Sequence, residues 1–170
     1  MNIVLIGYRG TGKSAIADRL SAWLKWPKVD MDKEIVAEAG MPIPEIVETK
    51  GWDFFRDLES KIVSRVSKKD QTVIDAGGGV VVRSGNIKAL RKNGIIIWLK
   101  ADSETIANRI RNSGDRPSLT GNKTFLGEIE EVLQERTPWY KEAADFEVET
   151  SHLAIETVAE KIVVWLEGRI

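Results

Sequence analysis

The stretch "GYRGTGKS", residues 7–14, stands directly behind the apolar run "NIVLI", residues 2–6. Gly7, Gly12, Lys13 and Ser14 satisfy G-x-x-x-x-G-K-[ST], with the preceding strand and following helix that give the pattern meaning. Glycines let the backbone turn successive N–H groups inward around phosphate oxygens. Lys13 adds a point charge near the β- and γ-phosphates, and the Ser14 hydroxyl is a ligand for Mg²⁺. A helix starting near residue 13 aims its positive end at the same anion. Gly10, Thr11, Gly12, Lys13, Ser14 and Ala15 are therefore the candidate nucleotide contacts. The rival reading, a dinucleotide fingerprint Gly10-x-Gly12-x-x-Ala15, suffers because Lys13 crowds that site. The acidic residue it needs about 20 residues on also fits a kinase role. A loop that grips polyphosphate does not say what receives the phosphoryl group, so the acceptor must come from elsewhere in the chain.

Outward from the loop, short apolar runs alternate with helical patterns. Strands are predicted at 2–6, 71–76, 94–100 and 146–150, the first three buried on both faces, with a weaker one at 27–32. Helices are predicted at about 13–25, 32–40, 43–50, 54–68, 84–92, 102–112, 124–136 and 153–168. This alternation predicts a three-layer α/β fold with a mostly parallel sheet, as one domain over residues 1–170. The polar stretch "RNSGDRPSLTGNK", 111–123, lies between two helices, where a mobile lid is expected.

Composition narrows the chemistry. The 170 residues are 42% hydrophobic and 30% charged with a net charge of −1, which argues against a broad nucleic-acid footprint. With no cysteine, disulfides, thiolate catalysis and cysteine-ligated metals are excluded, and the single histidine, His152, cannot build a histidine-rich metal site. "MNIVLIG" is too short for a signal peptide, and no run approaches the roughly 18 apolar residues of a membrane span. No membrane association and a cytoplasmic location are expected.

Four further stretches carry chemistry, each with a bland alternative. "VDMDKEI", 29–35, puts Asp30 and Asp32 at i and i+2, on one side of a short strand. One carboxylate would hold Mg²⁺ through water while the other accepts a proton from a hydroxyl substrate; alternatively this is a solvated strand end with Asp32 capping the next helix. "DFFRDLE", 53–59, sets Arg56 and Glu59 three apart, either a surface ion pair or a carboxylate orienting a guanidinium toward a substrate carboxylate. "DAGGG", 75–79, leaves backbone N–H groups uncovered by side chains, which favours close approach of a small polar ligand. "ERTPWY", 135–140, supplies Arg136 at a helix end before a proline.

Taken in order, the phosphate loop, D-x-D, "GMPIPEIVETKG" with "FFRDLE", "GGG", "GDRP", "ERTPWY" and "ADFEVET" resemble shikimate kinase along nearly the whole chain. That resemblance implies a P-loop kinase fold with a five-stranded parallel sheet, a lid near 111–123 and a shikimate-binding region near 32–60. It implies transfer of the γ-phosphoryl of ATP to the 3-hydroxyl of shikimate, in aromatic amino-acid biosynthesis, by a monomer using Mg²⁺. Carried over by position, Lys13 and Ser14 take the phosphates and metal, with Asp30 supporting the metal. Asp32 binds the acceptor hydroxyls and takes the proton. Arg56, Arg136 and the Gly77, Gly78 and Gly79 backbone surround the acceptor, with both arginines on its carboxylate. Arg116 closes on the transferring phosphate, and Arg109 packs against adenine.

The chain departs from the family pattern at Ala15, at Ala76 (with Asp75 before it), at Ser118, and at Trp52 with Val47 nearby. None of these removes a charged residue expected to contact substrate. Of the six tryptophans, only Trp52 neighbours the expected pocket. The alternatives are another small-molecule kinase, gluconate kinase in particular, and a non-catalytic nucleotide-binding relative. The second should have lost Lys13, Asp32 or a clamping arginine, and all are present.

Overall fold

The computed structural model describes residues 1–111 and 125–170. Arg116, Ser118 and all of the expected lid beyond Arg111 lie outside the described residues. Five strands, β1 (Asn2–Ile6), β2 (Lys28–Asp30), β3 (Val73–Asp75), β4 (Gly94–Lys100) and β5 (Phe146–Glu149), form a parallel sheet in the order β2-β3-β1-β4-β5. The helices are α1 (Lys13–Leu24), α2 (Met31–Ala39), α3 (Ile43–Val66), α4 (Ser84–Arg91), α5 (Ser103–Arg111), α6 (Phe125–Ala143) and α7 (Ile155–Leu166).

Alternation along the strands builds the three layers, because successive side chains point to opposite sheet faces. Ile3 and Leu5 of β1, Val73 of β3 and Ile97 and Leu99 of β4 pack with Ile16 and Leu20 of α1 and with Val158 and Ile162 of α7. On the other face, Val4, Ile6, Ile74, Ile96 and Trp98 pack with Ile35, Leu58, Ile62 and Leu90, and with Tyr140 of α6. Both faces of the central strands are therefore dry, which explains why those runs are continuously apolar.

β1 pairs with β3 on one side and β4 on the other, in parallel register from Ile3↔Val73 and Ile3↔Ile95. Chain direction across the sheet reverses at that strand, and such a point opens a crevice beyond the carboxyl ends of the strands. The phosphate loop starts there. β2, β3 and the loop after β4 deliver their ends to the same edge.

Three local expectations need correction. Asp32 does not share a strand side with Asp30: β2 stops at Asp30, and Asp32 lies in the first turn of α2. Asp30 is the helix cap, its side chain accepting from the Lys33 N–H at 3.2 Å. A carboxylate that satisfies an orphan amide ends the strand two residues earlier than the expected 27–32. Second, α6 does not end before Pro138 but runs through it to Ala143, so Arg136 is an interior helical residue. A proline inside a helix costs about 3 kcal/mol. Opposing it, Tyr140 is fully buried, stacks on Trp98 with ring centroids 5.7 Å apart, and donates to the Gly78 carbonyl. Third, a short 3-10 turn, Val80–Val82, follows the glycines, where no element was expected. The two helices expected around residue 51 do occur, joined at Gly51, whose φ of 84° and ψ of 169° break the helical course.

Ile162 and Val164 test the layer assignment from one helix. Ile162 is fully buried under β1 and β4, whereas Val164 is 64% exposed. Ile162→Ala is expected to cost about 2–5 kcal/mol in urea unfolding, and Val164→Ala less than about 0.5 kcal/mol.

Candidate active site

Two adjoining cavities lie at the carboxyl edge of the sheet. The first is walled by the phosphate loop and the ends of β2 and β3, including Gly10, Gly12, Lys13, Ser14, Ala15, Asp30, Asp75 and Arg109. The second is walled by Tyr8, Ile43, Trp52, Phe55, Arg56, Glu59, the three glycines and Arg136. Arg9, Asp32 and Gly77 line both.

The loop is built to receive an anion. Gly10 and Gly12 have φ of 80° and 92°, the left-handed region that favours glycine. α1 starts at Lys13 with no side-chain cap and no acidic residue in its first turn, so its leading amides and dipole face the first cavity uncompensated. Lys13 Nζ donates to the carbonyls of Gly7 at 2.9 Å and Tyr8 at 3.1 Å, holding the ammonium against the loop. Arg109 braces the opposite rim, donating to Gly10 O at 3.2 Å and to Thr150 O at 2.9 Å.

Thr11 departs from its expected role. It is buried, and both its hydroxyl (2.8 Å) and its N–H (3.3 Å) donate to Tyr8 O. Thr11 is a staple inside the loop and does not line the nucleotide cavity. Thr150 at the end of β5 completes the support, its hydroxyl donating to Thr11 O at 3.0 Å. No motif marks Thr150, and only its place at a strand end hints at the contact.

Opposite Lys13 stand three carboxylates. Asp75 and Asp30 are register partners on β3 and β2, with Asp32 two residues on in the first turn of α2. Burial pushes the Asp75 carboxyl up, against the pull of Lys13 and of the Ser14 hydroxyl, which donates to Asp75 at 2.5 Å; Asp30 and Asp32 push it further up. This oxygen-rich wall beside a phosphate loop suits a small hard cation. Among the described residues no three acidic or histidine side chains form a closed metal cage.

The second cavity brings together Arg56 of α3 and Arg136 of α6 in its lining. Arg56 donates to Glu59 at 2.9 Å, and its guanidinium lies over the Trp52 and Phe55 rings at 5.4 and 5.2 Å. Glu59 is almost wholly buried; burial pushes its carboxyl up, while the Arg56 charge and hydrogen bond oppose that. The pair is therefore a buried anchor for the guanidinium and not the exposed ion pair its spacing also allowed. Arg136 lies beside Tyr140, whose hydroxyl burial pushes up to about 12, so the phenol stays neutral at physiological pH. The glycines let this lining close. A methyl group on Gly77 would sit 3.1 Å from Asp32 Oδ1, one on Gly78 3.3 Å from the Arg9 amide, and one on Gly79 would collide with the Arg56 guanidinium.

Of the sequence candidates, Gly10, Gly12, Lys13, Ser14, Ala15, Asp30 and Arg109 line the first cavity and Arg56, Gly78, Gly79 and Arg136 the second, with Asp32 and Gly77 on both. No sequence signal marks Tyr8 and Arg9, which occupy variable positions of the loop motif. Ala76 lies in the nucleotide cavity and Trp52 in the other, whereas Val47 packs against the core.

The shikimate kinase family model matches residues 9–167. The chain is 42% identical to a shikimate kinase of Caldicellulosiruptor bescii, over 95% of this chain and 93% of that one. It is 41% identical to a shikimate kinase of Caldanaerobacter subterraneus subsp. tengcongensis, over 99% of both. Its fold is similar to shikimate kinase from Acinetobacter baumannii in complex with shikimate, with a TM-score of 0.93 at 28% identity, covering 99% of this chain and 93% of that one.

Gly79 offers a test of the arginine site that replaces no charged residue. Its φ of −94° accepts a side chain, so the collision with Arg56 is the main consequence of Gly79→Ala. Displacing that guanidinium is expected to raise the KM for a carboxylated acceptor by about 10-fold or more, with the KM for nucleotide changed less than about threefold, as steady-state kinetics will read.

Proposed function

The chain belongs to the shikimate kinase family, and on that premise we propose how its residues pass the γ-phosphoryl group of ATP to the 3-hydroxyl of shikimate. The observation that carries the reading is the convergence of Arg56 and Arg136 on one cavity, with Asp32 where that cavity meets the nucleotide loop. Shikimate has a carboxylate at one end and hydroxyls at the other. Two guanidiniums suit the first end, since charge-assisted bidentate contacts are the strong way to hold a carboxylate. Asp32, which lines both cavities, suits the second.

In the proposed step, the 3-hydroxyl oxygen forms a bond to the γ-phosphorus as the bond to the β,γ-bridging oxygen breaks. The hydroxyl proton passes to Asp32, and ADP leaves with the electron pair. The transfer asks for alignment and charge stabilisation more than covalent chemistry. Lys13 and the first amides of α1 meet the phosphate charge, Arg109 borders the nucleotide, and Arg56 and Arg136 fix the acceptor so that one hydroxyl faces the phosphorus. Ser14 and Asp30 would hold Mg²⁺, with Asp75 orienting the Ser14 hydroxyl; the ion, when bound, would neutralise phosphate charge. Arg116 belongs to the same proposal as the arginine closing on the transferring group. Every residue in it comes from one chain, so a monomer suffices. No helix among the described residues is long and apolar enough to cross a membrane, and a cytoplasmic location is part of the reading.

A coupled ADP-release assay with shikimate, quinate and gluconate offered separately tests the function. Shikimate is expected to drive turnover; equal turnover with gluconate, or none with shikimate, overturns the reading. Asp32→Asn is expected to lower kcat by about 10²- to 10⁴-fold with little change in the KM for ATP; a rate near wild type removes the proton-accepting role. Arg136→Ala is expected to raise the KM for shikimate about 10- to 100-fold, and an unchanged value would mean that this guanidinium does not hold the carboxylate.

A further inference from the structure

Among the described residues, two buried side-chain polar atoms have no hydrogen-bond partner, the Tyr8 hydroxyl and Arg9 Nε. They are consecutive in the chain, both residues line the acceptor cavity, and Arg9 also lines the nucleotide cavity. Native proteins leave few buried donors unpaired, because each costs roughly 1–3 kcal/mol. Two such residues in succession at a ligand site point to a partner that the ligand itself brings.

Arg9 is the more telling of the two. Its side chain is only 10% exposed. Its Nη2 donates to Glu128 on α6 at 3.4 Å, longer than the roughly 2.7–2.9 Å of a committed charge-assisted bond. The guanidinium lies 5.8 Å from the centre of the Tyr8 ring, which limits its swing on that side. Its backbone is fixed as well, since Gly78 packs so close that an added methyl group would be 3.3 Å from the Arg9 amide nitrogen. A guanidinium carries five N–H donors, and this one keeps donors in reserve.

Position decides what those donors meet. Arg56 and Arg136 line the acceptor cavity and not the nucleotide cavity; Arg9 shares both with Asp32 and Gly77. A phosphoryl group moving from one cavity to the other has to cross that seam, within reach of the carboxylate that takes the proton. We infer that Arg9 is a further catalytic residue, its guanidinium hydrogen-bonding the equatorial oxygens of the phosphoryl group as it is transferred. This rests on the function proposed above. Arg9 exchanges no proton in the step; it offers fixed positive charge where the transition state spreads negative charge over those oxygens, while Glu128 keeps the fork aimed.

The experiment compares wild type, Arg9→Met, Arg9→Lys and Arg9→Ala by ADP release, with ATP and shikimate varied in turn. Arg9→Ala is assayed also with millimolar free guanidinium ion, and each variant's melting temperature is recorded. Wild type is read first: no shikimate-dependent ADP release there overturns the function itself. Given an active wild type, Arg9→Met is expected to lose about 10²-fold in kcat with both KM values within about threefold. Arg9→Lys, or guanidinium added to Arg9→Ala, should recover part of that rate. A kcat within about threefold of wild type, a loss confined to KM, or a loss that neither lysine nor guanidinium relieves overturns the inference while leaving the function standing.

Discussion

At the carboxyl end of β1, three stretches of backbone meet with no room for a side chain between them. Gly7 lies against the Leu99 carbonyl at the end of β4, Gly10 against Ile106 and Ile110 of α5, and Gly78 against Gly7 O and the Arg9 amide. Everything at the site follows from that closeness. It lets the loop after β1 and the turn after β3 share a wall, so that the nucleotide cavity and the acceptor cavity adjoin. A side chain at Gly78 would press the turn after β3 away from the loop after β1, and phosphoryl transfer tolerates little misplacement of the reacting atoms. The sheet supplies the frame: β3 and β4 both pair with β1, so their ends cannot avoid the loop.

Onto this frame the chain places charges that would be unfavourable alone. Glu59 is buried with Arg56, Asp75 with Ser14 and Lys13 nearby, Glu128 with Arg9. Burying an ion pair contributes little net stability, because desolvation offsets most of the attraction. What it provides here is fixed orientation. Arg56 is gripped by Glu59 and enclosed by two aromatic rings before any ligand arrives, and a preorganised guanidinium loses less freedom on binding than one on an open surface. Trp52, where the family pattern commonly has an acid, adds an apolar face to that enclosure without adding a competing charge.

Legibility of the sequence varied with the range of the interaction. Strands and helices were readable wherever an element buries a continuous stripe, as in β1, β4 and α7, because burial periodicity is written locally. Reading failed where a distant residue overruled a local preference. α6 continues through Pro138 because Tyr140 finds Trp98 and the Gly78 carbonyl beyond it. Thr11 is held inside the loop, its hydroxyl donating to Tyr8 O and its carbonyl accepting from the distant Thr150 hydroxyl. Asp30, not Asp32, caps α2, a choice between neighbours that spacing left open.

The sequence by itself determined the side chains available: a glycine-lysine-serine loop suited to polyphosphate, carboxylates suited to a proton or a cation, and arginines suited to an acid, with cysteine chemistry and a histidine-rich metal site excluded. Those are properties of residue types and of short spacings, and they survive without a fold. Only the tertiary structure decided which arginines share a cavity, that Glu59 and Asp75 are buried, and that Arg9 lies on the seam between two cavities. Such facts depend on contacts between residues far apart in the chain, made where packing and sheet pairing bring backbones together, and no local pattern records them.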